Sequence, residues 1–237
     1  MLKNFDQELT ETMKEKQYMK AILFGSVGSI AETSEIQRAS FNEAFTQHGL
    51  SWHWEQTQYA AMLERSGGIR RLEEFARRDG ITIDAAAIHQ SKFEIFKRKL
   101  ESMSLQPRPG VLEVIAWANA NQVKVGLVTT TYRNTLEAVV EATEGLSMDD
   151  FDVTTDVDSV EQRKPASDCY QKAILELSLT ANECVAVEDN VDGYTASQLA
   201  GVTCYCCPGE NTRLHRFPDS AQKVPQITPA ILGAELV

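Results

Sequence analysis

Polar residues follow several short apolar segments of this 237-residue chain. They are Ser26, Thr129, Thr130, Lys164, Glu188 and Asp189. Hydroxyl and ammonium groups donate hydrogen bonds to anionic oxygens, and carboxylates are the ligands that hard cations prefer. These residue types indicate a candidate site for an anionic ligand, a metal ion or both, provided that the fold brings them together.

The elements that would position these residues are short strands separated by helical stretches. The strand-like segments are Lys20 to Phe24, Val123 to Val128, Val153 to Thr155, Cys184 to Val187 and Val202 to Cys206. Nearly continuous apolar strands that alternate with helices are typical of a parallel sheet covered on both faces. The sequence therefore predicts a doubly wound, Rossmann-like α/β fold, with its ligand site beyond the carboxyl ends of the strands.

One interval breaks this alternation. From residue 36 to residue 105 the apolar residues recur at helical spacings, as at Phe41, Ala44 and Phe45, without a convincing strand. We expect a helical cap domain at 36–105, inserted into an α/β core formed by 19–35 and 106–237. Residues 1–18 are expected to form a separate N-terminal extension.

Composition excludes some classes of function. The formal net charge is −11, and the basic residues occur beside acidic ones, which disfavours nucleic acid and anionic membrane partners. No apolar run approaches the length of a membrane-spanning helix, so a cytoplasmic protein is expected. The five cysteines are an odd number, which favours buried, reduced thiols over a disulfide framework.

In order and spacing, the polar segments resemble the four motifs of the haloacid dehalogenase superfamily. The resemblance extends from about Met19 to Thr212 and is strongest to the CbbY and β-phosphoglucomutase branch, which places a helical cap between the first two motifs. It is carried by Gly25 to Glu32, Thr129 to Thr131, Lys164-Pro165 and Glu188-Asp189. The resemblance implies a phosphohydrolase fold whose relatives act on sugar phosphates and bisphosphates.

The first motif departs from the family pattern at both positions that carry the chemistry. The family places a nucleophilic aspartate where this chain has Gly25, and a general acid and base where it has Val27. Neither residue can attack phosphorus or transfer a proton. Ordinary phosphatase activity is therefore not expected, and loss of a nucleophile lowers kcat by about 10⁶-fold in a well-studied hydrolase.

The other motifs keep residues that the resemblance assigns to binding. Thr129, Thr130 and Lys164 would contact phosphate, and Arg70, after the turn at Gly67-Gly68, would read the substrate from the cap. Asp189 and Glu188 are candidate Mg²⁺ ligands, but the family's metal also uses the carboxylate that Gly25 lacks, so the resemblance implies weakened Mg²⁺ binding. Asp192 is expected to cap the helix that begins near Gly193.

Three hypotheses follow. The first is a pseudoenzyme that binds a phosphorylated small molecule or a protein partner. The second is an active phosphohydrolase of sugar phosphates or bisphosphates, which would need a water activated by Glu188 or Asp189, or attack by Ser26 or Ser29 with Glu32 as the nearest base in the loop. The third is a structural or assembly protein whose site is vestigial.

Overall fold

A computed structural model describes residues 19–233 of the chain, so the N-terminal extension lies outside the described residues. Its centre is a six-stranded, all-parallel sheet in the order β3-β2-β1-β4-β5-β6. The strands are β1 Ala21–Phe24, β2 Lys124–Val128, β3 Val153–Thr155, β4 Cys184–Glu188, β5 Thr203–Cys206 and β6 Gln222–Lys223. The predicted fold class is confirmed, and the two-residue strand β6 is an addition to it.

Helices cover both faces of this sheet and form the inserted module. In the described part of the chain the α-helices are α1 Val27–Ile30, α2 Ser34–Gln47, α3 Gln56–Met62, α4 Gly68–Asp79, α5 Ala85–Glu101, α6 Val111–Ala120, α7 Arg133–Ala142, α8 Asp168–Glu176 and α9 Val191–Leu199. Short 3-10 turns lie at Met148–Asp150, Val157–Ser159 and Ala181–Glu183. No described helix is both long and apolar enough to cross a bilayer.

The strand sequences explain the sheet. Every residue of β1 is buried, because alternate side chains enter the two apolar clusters on opposite faces. The register pairs Phe24 with Leu127 of β2 and with Val187 of β4. The residues that follow these three strands therefore emerge at one edge of the sheet, beside one another.

Helices α2 to α5 form the cap and have an apolar core of their own. That core is aromatic: Trp54 is fully buried, and its ring centroid lies 4.8 Å from that of Phe41 and 4.7 Å from that of Phe45. Aromatic contacts of this kind stabilise a fold beyond their buried area. The cap is thus a packed unit that presents one side of its helices to the carboxyl edge of the sheet.

The structure confirms the prediction for the cysteines but not the one for Asp192. All five cysteines are free and buried, as predicted. The role predicted for Asp192 is wrong, because Asn190 is the N-cap of α9 and accepts a hydrogen bond from the Gly193 amide at 2.9 Å. Asp192 instead lies within the first turn, where its Oδ2 accepts a hydrogen bond from the Ser66 amide of the cap at 2.8 Å.

Candidate functional site

A cavity of about 280 Å³ lies between the carboxyl edge of the sheet and the cap. The core contributes the segments that follow β1, β2 and β4, and the cap contributes one side of α2 to α5. Such a volume is near the lower end of the range for small-molecule sites. Most of the predicted site residues of the core therefore converge on this cavity, and Glu188 is the exception: the lining includes Gly25, Val27, Thr129, Thr130, Lys164 and Asp189.

Gly25 lies at the floor of this cavity, immediately after β1. Its amide donates to the Val187 carbonyl at 2.8 Å, which continues the pairing of β1 with β4. A Cβ atom built on Gly25 would overlap the Glu188 carboxylate and the Tyr170 hydroxyl. The space that a side chain at position 25 would need is filled by groups from β4 and α8.

Glu188 is fully buried and belongs to the interior, not to the cavity wall. Its Oε1 accepts hydrogen bonds from Lys164 Nζ at 2.6 Å and from the Tyr170 hydroxyl at 2.7 Å, while its Oε2 has no partner. Burial raises the pKa of Glu188, and the ammonium of Lys164 opposes that shift. Glu188 is thus the counter-ion of a buried lysine.

Lys164 directs its ammonium into the protein. Besides Glu188, Nζ donates to the Val128 carbonyl at 2.8 Å and to the Gly25 carbonyl. Burial is the largest single influence on Lys164 and would lower its pKa, but the combined effect of Glu188, Cys169 and Asp189 raises it. All three donors of the ammonium are therefore used within the core.

Asp189 faces the cavity and accepts a hydrogen bond from Ser26. Ser26 Oγ donates to Asp189 Oδ1 at 2.6 Å, and Asn190 Nδ2 donates to the same oxygen at 2.7 Å. Oδ2 accepts no hydrogen bond from the described residues and lies over Gly28, where a Cβ atom would overlap it. One carboxylate oxygen of Asp189 therefore lies at the cavity without a hydrogen-bond donor among the described residues.

The neighbouring serine and glutamate of the first loop have structural roles. Ser29 is buried, and its Oγ accepts from the Ser26 amide at 3.3 Å in a reciprocal cap on α1 and donates to the Ser26 carbonyl at 2.6 Å. Glu32 accepts from the Ser34 hydroxyl at 2.6 Å. Val27 begins α1 and packs against the main apolar cluster. The base nearest to Ser26 is therefore Asp189 and not Glu32.

The threonines after β2 line the same end of the cavity. Thr129 is buried, and its Oγ1 donates to Thr131 Oγ1 at 2.9 Å and accepts from the Thr131 amide at 3.0 Å. Thr130 is half-buried and also lines the cavity. We call Gly25, Ser26, Thr129 and Asp189 the aspartate end of the cavity.

The arginine that reaches the cavity from the cap is Arg71 and not the predicted Arg70. Arg71 is 7% exposed, its Cζ lies 5.5 Å from the centroid of the Tyr59 ring, and its Nε and Nη1 have no hydrogen-bond partner. Arg70 is turned away, because it donates to the Ser66 carbonyl at 2.8 Å and to Glu74 at 3.0 Å. The sequence prediction was one residue from the side chain that lines the site.

Two further cations lie near Arg71. Lys92 of α5 is 6% exposed, donates to the Gln37 side chain, and lies 5.0 Å from the centroids of two aromatic rings. Burial first, and Arg71 second, lower the pKa of Lys92 to about 7. Arg163 of the core lies over the Tyr132 ring at 5.4 Å. We call Arg71, Lys92 and Arg163 the cation end.

His89 lies among these three cations and is uncharged at neutral pH. Burial is the largest cause that lowers the pKa of His89 to about 4, and the charges of Lys92, Arg71 and Arg163 lower it further. A ring that avoids a proton is the expected response to a site already rich in positive charge. His89 therefore adds no positive charge to this end of the cavity at neutral pH.

Asp189 is the one carboxylate among the described residues that line the cavity. Across residues 19–233, no three side chains of histidine, cysteine, aspartate or glutamate are grouped as a metal site requires. Of the two predicted metal ligands, Asp189 faces the cavity and Glu188 does not. The donor set lacks the second carboxylate that a Mg²⁺ site commonly uses.

Comparison with known proteins identifies similar chains. A family model described as haloacid dehalogenase-like hydrolase matches residues 5–201. Protein CbbY of Cereibacter sphaeroides is 34% identical over 203 residues, 84% of this chain and 88% of that protein. Crystal structures of CbbY from Rhodobacter sphaeroides, with phosphate and with xylulose-(1,5)bisphosphate, have TM-scores of 0.81 and 0.80 at 33% and 32% identity. Each covers 88% of this chain and 94% of its own.

Proposed function

This chain belongs to the haloacid dehalogenase-like hydrolases, in the CbbY and β-phosphoglucomutase-like branch, and on that premise we propose that it is a phospho-ligand-binding pseudoenzyme. It binds a small phosphorylated molecule between core and cap without hydrolysing it. The observation that carries the proposal is the filled space over Gly25.

Glycine at position 25 does not leave an empty space where the family's aspartate side chain would lie. Glu188 Oε1 and the Tyr170 hydroxyl occupy the position where a side chain at Gly25 would begin. A buried ion pair with Lys164 holds Glu188 there, and removing one member of such a pair is strongly destabilising. A side chain at position 25 therefore cannot attack phosphorus, and the arrangement that excludes one is part of the folded core.

The ligand class follows from the unpaired charge in the cavity and from the relatives. Arg71 is a buried cation and Lys92, with its pKa lowered to about 7, is a buried amine that is partly protonated at neutral pH. Both line the cavity, and neither belongs to an ion pair within the described chain. Burying a charge without a counter-ion is costly, so such groups commonly mark a site for an anion. Related CbbY structures hold phosphate and xylulose bisphosphate, which supports a phosphorylated sugar here.

Hydrolases of this family generally use Mg²⁺. In this chain Asp189 would be the remaining carboxylate ligand, and Asp189 Oδ1 already accepts two hydrogen bonds. One carboxylate without the second holds Mg²⁺ weakly. We therefore expect ligand binding that does not depend on Mg²⁺.

Titration calorimetry and phosphate release on the same preparation test the proposal. The ligands are glucose 6-phosphate and other sugar phosphates, with Mg²⁺ and with EDTA. We expect binding without release of phosphate. Phosphate release by the native protein that exceeds release by an Arg71→Met variant would contradict the proposal. Release that is equal in both would be a contaminant, because the variant lacks a lining cation.

A second candidate function rests on the hydrogen bond of 2.6 Å from Ser26 Oγ to Asp189 Oδ1. In that case Asp189 would take the hydroxyl proton while Ser26 Oγ attacked phosphorus, and the ester P–O bond would break as Asp189 passed that proton to the departing alcohol. Water would then hydrolyse the phosphoserine to serine and inorganic phosphate. Serine attack needs such an adjacent base. Release that is lost in Ser26→Ala, together with a transient mass increase of one phosphoryl group, would favour this candidate.

A further inference from the structure

We propose that this site binds its ligand with one polarity, in which the phosphate contacts the cation end and a hydroxyl or ammonium group contacts the aspartate end. The inference rests on the proposed function and names the ligand class more narrowly. The ligand is a monophosphate whose other end is a hydrogen-bond donor.

The cation end is built to receive an anion. Two buried guanidinium nitrogens of Arg71, Nε and Nη1, have no partner among the described residues, and Lys92 is buried beside it on the next helix of the cap. Arg163 adds a third positive charge from the core, because it lines the same cavity near Tyr132. Charge-assisted hydrogen bonds from arginine to phosphate oxygens are among the strong ones in proteins, particularly where water is excluded.

The groups at the aspartate end disfavour an anion. Its nearest lysine, Lys164, donates to Glu188 and to two backbone carbonyls and has no hydrogen left for a ligand. Thr129 donates its hydroxyl proton to Thr131. The remaining charged group is the carboxylate of Asp189, whose Oδ2 accepts no hydrogen bond from the described residues. A phosphate placed here would face a like charge with no cation between them.

A hydroxyl or an ammonium group suits this end. It would donate to Asp189 Oδ2, the oxygen over Gly28, while Ser26 continues to donate to Oδ1. An ammonium group would add ionic attraction to the hydrogen bond. A second phosphate would lose the hydrogen bond and gain repulsion, so a bisphosphate should bind more weakly than the corresponding monophosphate.

Titration calorimetry in EDTA buffer with three matched esters tests this polarity. Glucose 6-phosphate ends in hydroxyl groups, glucosamine 6-phosphate adds an ammonium, and glucose 1,6-bisphosphate adds a second phosphate. We expect the bisphosphate to bind at least about tenfold more weakly than glucose 6-phosphate, and glucosamine 6-phosphate to bind at least as tightly. In an Asp189→Asn variant, the disadvantage of the bisphosphate should disappear.

Asp158→Asn is the control, because it removes the same charge from an exposed position outside the cavity. The order of the three affinities should not change in this variant. A bisphosphate that binds the native protein as tightly as the monophosphate would overturn the polarity and leave the proposed function standing. The polarity also fails if the Asp189→Asn and Asp158→Asn variants behave alike. If no ester binds, both proposals fail.

Discussion

The two ends of the cavity differ in how their charges are balanced. At the aspartate end, the buried charges beneath the cavity floor are paired, with Lys164 and Glu188 2.6 Å apart. At the cation end, Arg71 and Lys92 are as deeply buried but have no carboxylate partner in the described chain. A buried charge that has an opposite charge beside it can be part of the folded core. A buried charge without one lowers stability, and an anionic ligand would relieve that cost.

The same difference bears on the proposed function. The space beside Gly25 is filled by Glu188 and Tyr170, so a side chain at this position would have to displace groups of the core. At the cation end, Arg71 and Lys92 line the cavity. Under the proposed function, the first end excludes the family's nucleophile while the second end keeps its binding groups accessible to a ligand.

The largest effect is expected from breaking the paired end. Glu188→Ala leaves the Lys164 ammonium buried without a counter-ion and should lower the free energy of unfolding by about 3–5 kcal/mol. Denaturant unfolding measures this. Glu176→Ala is the control, because it breaks only the exposed pair with Lys172 and should cost less than about 1 kcal/mol. Equal losses in the two variants would mean that the buried pair has no special structural role.

A side chain at position 25 should be destabilising because Glu188 is in its place. Gly25→Ala is expected to cost about 1–3 kcal/mol through overpacking against Glu188 and Tyr170. In the Glu188→Ala background, the same substitution should cost much less, and Gly25→Asp should recover part of the lost stability by pairing with Lys164. A double-mutant cycle measures this coupling. Additive costs would show that Gly25 and Glu188 do not compete for space.

At the unpaired end, stability and binding should change in opposite directions. Lys92→Met removes a desolvated cation and should raise the free energy of unfolding by about 1 kcal/mol, while glucose 6-phosphate should bind about tenfold more weakly. Lys97→Met, on the exposed side of α5, should change neither quantity. A Lys92→Met variant that is both less stable and fully able to bind would remove Lys92 from the cation end.

A further prediction concerns pH. The pKa of His89 is lowered from 6.5 to about 4 in the folded protein, so between these values the unfolded chain binds more protons. His89 therefore contributes stability that is present above pH 6.5 and is lost as pH falls towards 4, with a slope of about 1 kcal/mol per pH unit. Unfolding of native protein and His89→Phe across this range measures the slope. An unchanged slope in the variant would contradict this assignment.

Most of the fold could be predicted because its signals are local. Short segments of three to six residues placed five strands to within about one residue, as for Lys20 to Phe24 against Ala21–Phe24. Strand β6 could not be predicted, since Gln222 and Lys223 are exposed and form a strand only by pairing with Tyr205 and Cys206. Its existence depends on tertiary contacts that leave no pattern in two polar residues.

The site was predictable in part. The loss of the nucleophile follows from the type of residue 25, but the closure of its space by Glu188 depends on packing between β4 and α8. The sequence also carried a signal that distinguishes Arg71, which lines the cavity, from Arg70, which does not. Arg70 precedes Glu74 by four residues on the polar side of α4, whereas Arg71 precedes the apolar Phe75 by four and shares its side.

Lys92 also left a signal that sequence reasoning missed. It lies four residues after Ile88 and four before Phe96, within the buried side of α5. A lysine on an otherwise apolar helical side is unusual, because lysine is rarely buried without a partner. A search for charged residues at core positions would have found both Lys92 and Arg71.

The most direct test of the account compares the neighbouring arginines of α4 by titration calorimetry with glucose 6-phosphate. Arg71→Met should weaken binding by at least about tenfold, because this guanidinium faces the cavity without a partner, and Arg70→Met should bind like the native protein. An Arg70→Met variant that loses as much affinity as Arg71→Met, or an Arg71→Met variant that loses none, would contradict the claim that the unpaired cation end binds the phosphate.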